Sequence, residues 1–404
     1  MSAAANRRIR LSVLLFVPGI AALGFNMRAA ITSLPPIFPE LAARLHLSAA
    51  GLAVLAALPV LCFAVFSPLA APLSRRFGEE RVLLGALVAL TAGLLLRALA
   101  PGALLFPGTV LAGAGIAFLN VLLPSLVKRR RPQQAGWLIG TYLLCLSGGA
   151  ISGSLAAVPV LHASGSVPLA VGLWLVPAAA AALLWLPQWR HHTMPADPAA
   201  GRPAAGRPVK VARYLLAWQV MGFMGLQSLT YYTALSWLPL MFRARGTGAV
   251  TAGELLALMN FGNAATALLM PVLAHRARDQ RWLVTGMAAI SAAGMAGVWF
   301  APLGSAFAWT LLLGLGQGGS LGLAIYLTAA RAAGPVTAAS LSAFAQGAGY
   351  LVATAGPLAF GFLHAATGGW TVPVVALLLV FAAQFGSGWP AARAVTLPGD
   401  LPPG

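Results

Sequence analysis

The sequence predicts an all-α membrane protein with 12 transmembrane helices in two six-helix halves, on three observations. The 404-residue chain is 59% hydrophobic and only 8% charged, with a mean hydropathy of +0.85, whereas soluble domains carry about 25% charged residues. Long apolar runs recur from end to end. A bilayer-spanning helix needs about 20 residues, so a dozen use about 240 and leave short loops. Finally, 20 of the 25 Lys/Arg residues fall in alternate gaps between those runs.

Arg7, Arg8 and Arg10 precede a first span at 12–37. The second, at 50–73, is followed by Arg75, Arg76 and Arg81. The third and fourth, 82–100 and 103–127, lead to Lys128 through Arg131. The fifth and sixth, 135–158 and 167–189, lead to Arg190, Arg202, Arg207, Lys210 and Arg213. The second six are 214–242, 250–274, 282–302, 305–329, 337–363 and 370–389, with Arg276, Arg278, Arg281, Arg331 and Arg393 in the same alternating set. The opposite gaps hold only Arg44, Arg97, Arg243 and Arg245. Basic side chains beside spans stay on the cytoplasmic side, so both termini are expected there. The first run starts like a signal peptide, but it exceeds 20 residues, carries Arg28 and offers no convincing small-residue cleavage site. It is expected to remain as a span.

Residues 190–213 are rich in Pro, Gly, Ala and Arg, bury nothing and read as a cytoplasmic linker. The expected division is 1–189, the linker 190–213, and 214–404. Weak internal similarity supports duplication: Gly51-Leu-Ala-Val-Leu-Ala opens the second span and Gly253-Glu-Leu-Leu-Ala-Leu the eighth. Those spans end in Pro72-Leu-Ser-Arg-Arg and Pro271-Val-Leu-Ala-His-Arg. Shared apolar composition is the alternative, but matching positions in both halves favour duplication. Small residues, including Gly148, Gly149 and Gly153 in the fifth span, permit close helix approach. Pro35, Pro36, Pro59, Pro68, Pro124, Pro271 and Pro357 are expected to interrupt spans and allow bends.

A net charge of +18 suggests nucleic acid at first sight. The basic residues sit in short loops between spans, however, so membrane lipids are the expected partner and nucleic acid is not. Cys62 and Cys145 lie inside spans, and the six histidines are scattered, so neither a disulfide, a metal site nor a cofactor is indicated. No nucleophile–base set or acid pair suggests an enzyme.

Arg28, in Gly24-Phe-Asn-Met-Arg-Ala-Ala-Ile-Thr-Ser, is the strongest functional lead. Inserting an arginine at mid-span costs about 2.5–3.5 kcal/mol, and such residues mark substrate or ion paths. Gly24, Arg28 and Thr32 share a helix face, and the planar fork suits a carboxylate, nitro or similar group. The structural alternative is an arginine tied to backbone carbonyls of a broken neighbouring helix. Asn26 points elsewhere and is expected to pack between helices. Uncharged polar residues recur at similar depth: Asn120, Tyr142, Gln227, Tyr231, Asn260, Asn263, Gln317, Gln346 and Tyr350. Interhelical hydrogen bonds explain any one of them; their shared depth favours a cavity. Trp237 and Tyr232 suit either that cavity or an interfacial belt. No Asp or Glu falls at mid-span. A cationic substrate would need one, so an anionic or dipolar solute is expected, and any proton coupling would use Glu254, Glu40 or the solute itself.

Several stretches together resemble the cyanate/2-nitroimidazole (CynX/NimT) transporters of the major facilitator superfamily. They are Asn26-Met-Arg-Ala-Ala-Ile-Thr-Ser-Leu-Pro-Pro, Gly115-Ile-Ala-Phe-Leu-Asn-Val-Leu-Leu-Pro-Ser-Leu-Val-Lys-Arg, Gln227-Ser with Tyr231 and Trp237-Leu-Pro, and Gln346-Gly-Ala-Gly-Tyr-Leu-Val-Ala-Thr-Ala-Gly-Pro. The loop Pro72-Leu-Ser-Arg-Arg-Phe-Gly-Glu-Glu-Arg is similar to the superfamily's gating loop with its signs inverted. Arg75 stands at the acidic position, while Glu79 and Glu80 follow Gly78 where bases are usual. Opposite charges of Arg75, Arg76, Glu79 and Arg81 are expected to face each other across Gly78, unless they serve only to orient the chain. The resemblance implies a bacterial inner-membrane carrier of small polar solutes; a monomer, with protons as a candidate coupling ion, is expected. The expected function is therefore alternating-access transport of a small anionic or polar organic solute, with Arg28 as anchor and Asn120, Gln227, Tyr231 and Gln317 supplying hydrogen bonds. The alternatives are proton-coupled multidrug efflux and, more remotely, a membrane sensor without transport.

Overall fold

The computed structural model describes the backbone of residues 3–190 and 209–399, with side chains from residue 15 onward except Arg190 and Pro335. The side chains of Arg7, Arg8 and Arg10, together with His191, His192 and most of the predicted linker, lie outside the described residues. Among the described residues the chain is almost wholly helical, and its one β feature is a parallel bridge between Ala332 and Leu397.

The predicted spans reappear with edges moved by a few residues. The first is α1 (Ala3–Thr32), which passes through a 3-10 turn at Pro35–Ile37 into α2 (Phe38–Leu45). The second is α3 (Ala49–Phe66) and α4 (Ala70–Phe77), joined by a 3-10 turn at Ser67–Leu69. Then come α5 (Glu79–Leu99), α6 (Pro101–Arg130) and α7 (Ala135–Ser164), with α8 (Val167–Gly172) and α9 (Leu175–Trp185) forming the sixth. The remaining six are α10 (Leu215–Ala244), α11 (Ala249–Arg276), α12 (Arg281–Phe300), α13 (Ala306–Ala330), α14 (Pro335–Thr367) and α15 (Thr371–Ala391). Only some of the prolines break helices. Pro35, Pro36 and Pro68 fall in 3-10 turns, whereas Pro59, Pro124, Pro271 and Pro357 stay inside continuous α3, α6, α11 and α14.

Among the described residues, eleven helical stretches are long and apolar enough to cross a membrane. The exception, α10, has the length, but Gln227, Ser228, Thr230, Tyr231, Tyr232 and Thr233 dilute its apolar content. Those six residues are all buried, so the polar row is met by protein, as a bilayer requires.

The chain divides into two compact units, Met1–Leu47 with Leu61–Asp197 and Ser48–Val60 with Pro198–Gly404. The first part of the second span, Ser48–Val60, thus groups with the second unit. Within each unit the same partners pair. In the first, α1 packs on α7 and α5 on α6; in the second, α10 packs on α14 and α12 on α13. These are the first and fifth, and the third and fourth, spans of each half, which is what a duplicated half-molecule produces. Missing side chains set the close approaches. A Cβ at Gly149 of α7 would lie 2.0 Å from the Phe25 carbonyl of α1, and one at Gly314 of α13 would lie 2.3 Å from the Met259 carbonyl of α11. Only glycine fits at such contacts.

Candidate functional site

Arg28 lies in the middle of the apolar stretch Leu15–Leu45 and is half-buried. Its helix face is the one turned to α7: a Cβ at Gly24 would sit 2.7 Å from the Tyr142 carbonyl. Thr32 donates to the Arg28 carbonyl (3.0 Å) or the Ala150 carbonyl (2.9 Å). The expected polar stripe is thus partly used in packing, since Thr32 is spent on backbone. Asn26 lies off that face and bonds the Ala22 carbonyl and, across to α9, the Pro177 carbonyl, as expected. Beside Gly24, the buried Tyr142 hydroxyl donates to Asn120 Oδ1 at 3.4 Å, joining α7 to α6. Arg28, Tyr142 and Asn120 therefore belong to one unit, and Tyr142 packs beside Gly24, one turn of α1 before Arg28.

A second guanidinium reaches the same end of α1. Arg97 of α5 is 1% exposed; its Nε donates to Thr109 Oγ1 and its Nη1 to the Ala30 carbonyl, both at 3.1 Å. The sequence placed Arg97 in an external gap, but the side chain turns inward. Two of the other arginines from the sparsely basic gaps behave alike. Arg44 donates to the Gly165 carbonyl at the end of α7, and Arg245 to the Val298 and Ala301 carbonyls at the end of α12. The last carbonyls of a helix lack intrahelical partners and carry its partial negative charge, so a guanidinium satisfies both needs.

In the second unit the predicted residues form a buried network. The Tyr231 hydroxyl donates to Asn260 Oδ1 at 3.0 Å, and Asn260 Nδ2 donates to the Leu256 carbonyl. Gln227 Nε2 donates to the Gln317 carbonyl at 3.4 Å. At the centre is Thr230, which composition did not single out. Its Oγ1 lies 3.0 Å from the Gln227 carbonyl and 3.3 Å from Oε1 of both Gln317 and Gln384. One hydroxyl has one proton and two lone pairs. It can donate to one of the three at a time, so the Gln227 carbonyl and the Gln317 and Gln384 Oε1 atoms share its proton. Gln384, on α15, was also missed; its signal was a lone amide inside the apolar twelfth span. Gln346 stands apart. It is exposed and donates to Ser342 Oγ on its own helix, while Tyr350 is half-buried one turn on. Trp237 and Tyr232 are core rather than belt residues: Trp237 is 1% exposed and donates to the Pro357 carbonyl, and Tyr232 lies edge-on to Tyr231.

The loop after the second span departs from expectation. Gly78, at φ +84°, ends α4 in the left-handed region and starts α5. Arg75, Arg76 and Arg81 are exposed, but Glu79 and Glu80 are buried. Glu79 does not face the arginines across Gly78. It pairs with Arg129 at the end of α6 and accepts from Ser125 Oγ at 3.2 Å. The neighbouring Arg130 donates to the buried Gln188 at 2.8 Å and lies over the Phe16 ring. Acids at a helix start and bases at a helix end favour this arrangement. Of the candidates for proton coupling, Glu254 is exposed in the second turn of α11 and Glu40 is half-buried in the first turn of α2.

The model of the Major Facilitator Superfamily matches residues 19–357. The chain is 39% identical to the 2-nitroimidazole transporter of Escherichia coli, over 92% of this chain and 94% of that one. It is 38% identical to the uncharacterized transporter YycB of Bacillus subtilis (92% and 93%), and 30% identical to the E. coli cyanate transport protein CynX (86% and 89%). Among solved structures, an inward-facing bacterial homologue of the lysosomal transporter Spinster superposes with TM-score 0.75, covering 96% of this chain and 97% of that one at 16% identity. The D-xylose–proton symporter gives 0.70, with 95% and 99% covered at 15% identity. At such identities the structures speak for the fold alone, whereas the sequence relatives are named as transporters, two of them for 2-nitroimidazole and cyanate and none as a multidrug antiporter. The chain belongs to the major facilitator superfamily and, within it, to the cyanate/2-nitroimidazole transporter family of membrane solute carriers.

Proposed function

We propose that this protein moves a small anionic or strongly dipolar organic solute across the bacterial inner membrane by alternating access, with both termini cytoplasmic and Arg28 as the solute's anchor. The observation that carries this reading is electrostatic. Two guanidiniums meet the last turns of α1, Arg28 on the helix and Arg97 on its Ala30 carbonyl, while none of the chain's seven acidic residues lies in the middle of a span. Opposed charges attract strongly where water is scarce, so such a region favours electron-rich oxygen or nitrogen. The relatives' names cite 2-nitroimidazole and cyanate; a nitro group and a cyanate ion both present atoms that a guanidinium fork accepts. Tyr142 and Asn120 supply neutral hydrogen bonds beside Arg28. In the second unit Tyr231 and Asn260 repeat that chemistry, while Gln227 and Gln317 hold the helices around Thr230. Glu79 with Arg129 forms a gate-region ion pair in place of a pair across Gly78.

The test is flux in proteoliposomes for a solute chosen by a thermal-shift screen of small organic anions, nitro-compounds and cyanate. Arg28→Ala should lower flux about tenfold or more, the worth of a charge-assisted hydrogen bond, with Arg28→Lys intermediate and both variants monodisperse. Undiminished flux through the alanine variant removes Arg28 from the site.

A further inference from the structure

A groove of about 430 Å³ opens on the first unit between α4, α5 and α6. Its walls are apolar, with Leu73 and Phe77 from α4, Gly85 and Ala89 from α5, and Leu111 and Phe118 from α6. It is hollow because small residues occupy its floor. A Cβ at Gly115 would lie 2.4 Å from the Ala86 carbonyl, so α5 and α6 touch there, whereas a Cβ at Gly85 would meet nothing within 4 Å. Of the lining residues, only Arg81 is charged. Its side chain is exposed, held by an Nε bond to the Trp189 carbonyl at 3.4 Å and by the Trp189 ring at 5.7 Å. Arg75 and Arg76 are exposed at the end of α4, Arg76 over the Phe77 ring at 5.2 Å. The nearest acids do not offset this charge at the surface, since Glu79 and Glu80 are buried and Glu79 is paired with Arg129.

We propose that this groove binds an anionic phospholipid, one acyl chain lying along α5 and α6 and the phosphate meeting Arg81. The occupant follows from the combination. An apolar slot of this size on a membrane-embedded surface is filled by hydrocarbon, and a guanidinium fixed at its mouth selects a headgroup that is negative overall. Arg75 and Arg76 extend the positive field along α4. The site is independent of solute binding, because neither Arg28 nor the polar network of the second unit takes part.

Native mass spectrometry of the purified protein in an equimolar mixture of phosphatidylglycerol and phosphatidylcholine tests the assignment. The unmodified protein should retain phosphatidylglycerol preferentially. Arg81→Gln should reduce that preference about fivefold, the value of one basic side chain at an anionic lipid surface. Gly85→Trp should fill the slot and strip both lipids, whereas Gly286→Trp, at a glycine whose Cβ position on α12 is also open, should strip neither. Equal retention of both lipids by the unmodified protein overturns the proposal, as does full retention in Gly85→Trp or displacement of the lipid by inorganic phosphate alone. Should Gly85→Trp prove aggregated in gel filtration, the Arg81→Gln preference decides.

Discussion

Replacing Thr230 by valine removes one hydroxyl and almost no volume, at the point where three glutamines meet. The hydroxyl lies 3.0 Å from the Gln227 carbonyl and 3.3 Å from each of the Gln317 and Gln384 amides, and all four side chains are at most 1% exposed. The Gln227 carbonyl keeps its helical bond, so its loss is small. The two amides lose the one side chain to which their oxygens are bonded. Interhelical hydrogen bonds in bilayers average about 0.6 kcal/mol, and a buried polar group left unsatisfied costs about 1–3 kcal/mol. About 1–4 kcal/mol of destabilisation is expected for Thr230→Val. At about 2–4 °C per kcal/mol for a unit of about 200 residues, the unfolding midpoint in detergent should fall by several degrees. Thr230→Ser keeps the hydroxyl and should fall much less. A valine variant that melts with the unmodified protein, or a serine variant as unstable as valine, refutes the hub assignment.

Glu79→Gln leaves Arg129 beside a neutral amide. It should cost about 3–5 kcal/mol if the carboxylate is fully desolvated and less where the half-exposed arginine reaches water. Thermal melts would register the loss, and Arg129→Gln in the same background should add little further. Gly149→Leu forces a side chain against the Phe25 backbone and should prevent accumulation of folded protein, whereas Gly148→Ala, one residue away where a Cβ meets nothing within 4 Å, should be neutral. Fluorescence-detected size-exclusion chromatography separates the two outcomes.

The span positions were legible because each helix needs an apolar run of fixed length, and charge alternation marked the gaps. Even α10, the least apolar of the twelve, was placed by its neighbours. What composition does not encode is azimuth, the direction each side chain takes around its helix. Asn120 with Tyr142 and Tyr231 with Asn260 were expected to share depth, and they share hydrogen bonds as well. Thr230 was overlooked because threonine is common in spans and only its three partners make it unusual. Arg97 was misread because it sits in the last turn of its span, where an arginine can as easily reach out as in. The Glu79–Arg129 pair joins residues 50 positions apart, beyond anything local spacing reports.

The arginines that hold helix ends lead to a different view of the positive charges on the sparsely charged side. A base that merely orients a loop is exchangeable for any other base. Arg245 serves two carbonyls with two nitrogens of one rigid plane, a task beyond the single point of an ammonium. Drift from arginine to lysine should thus pass unnoticed at an exposed loop position such as Arg75 and be felt at once at Arg245, although a tally of charges would score the two changes alike.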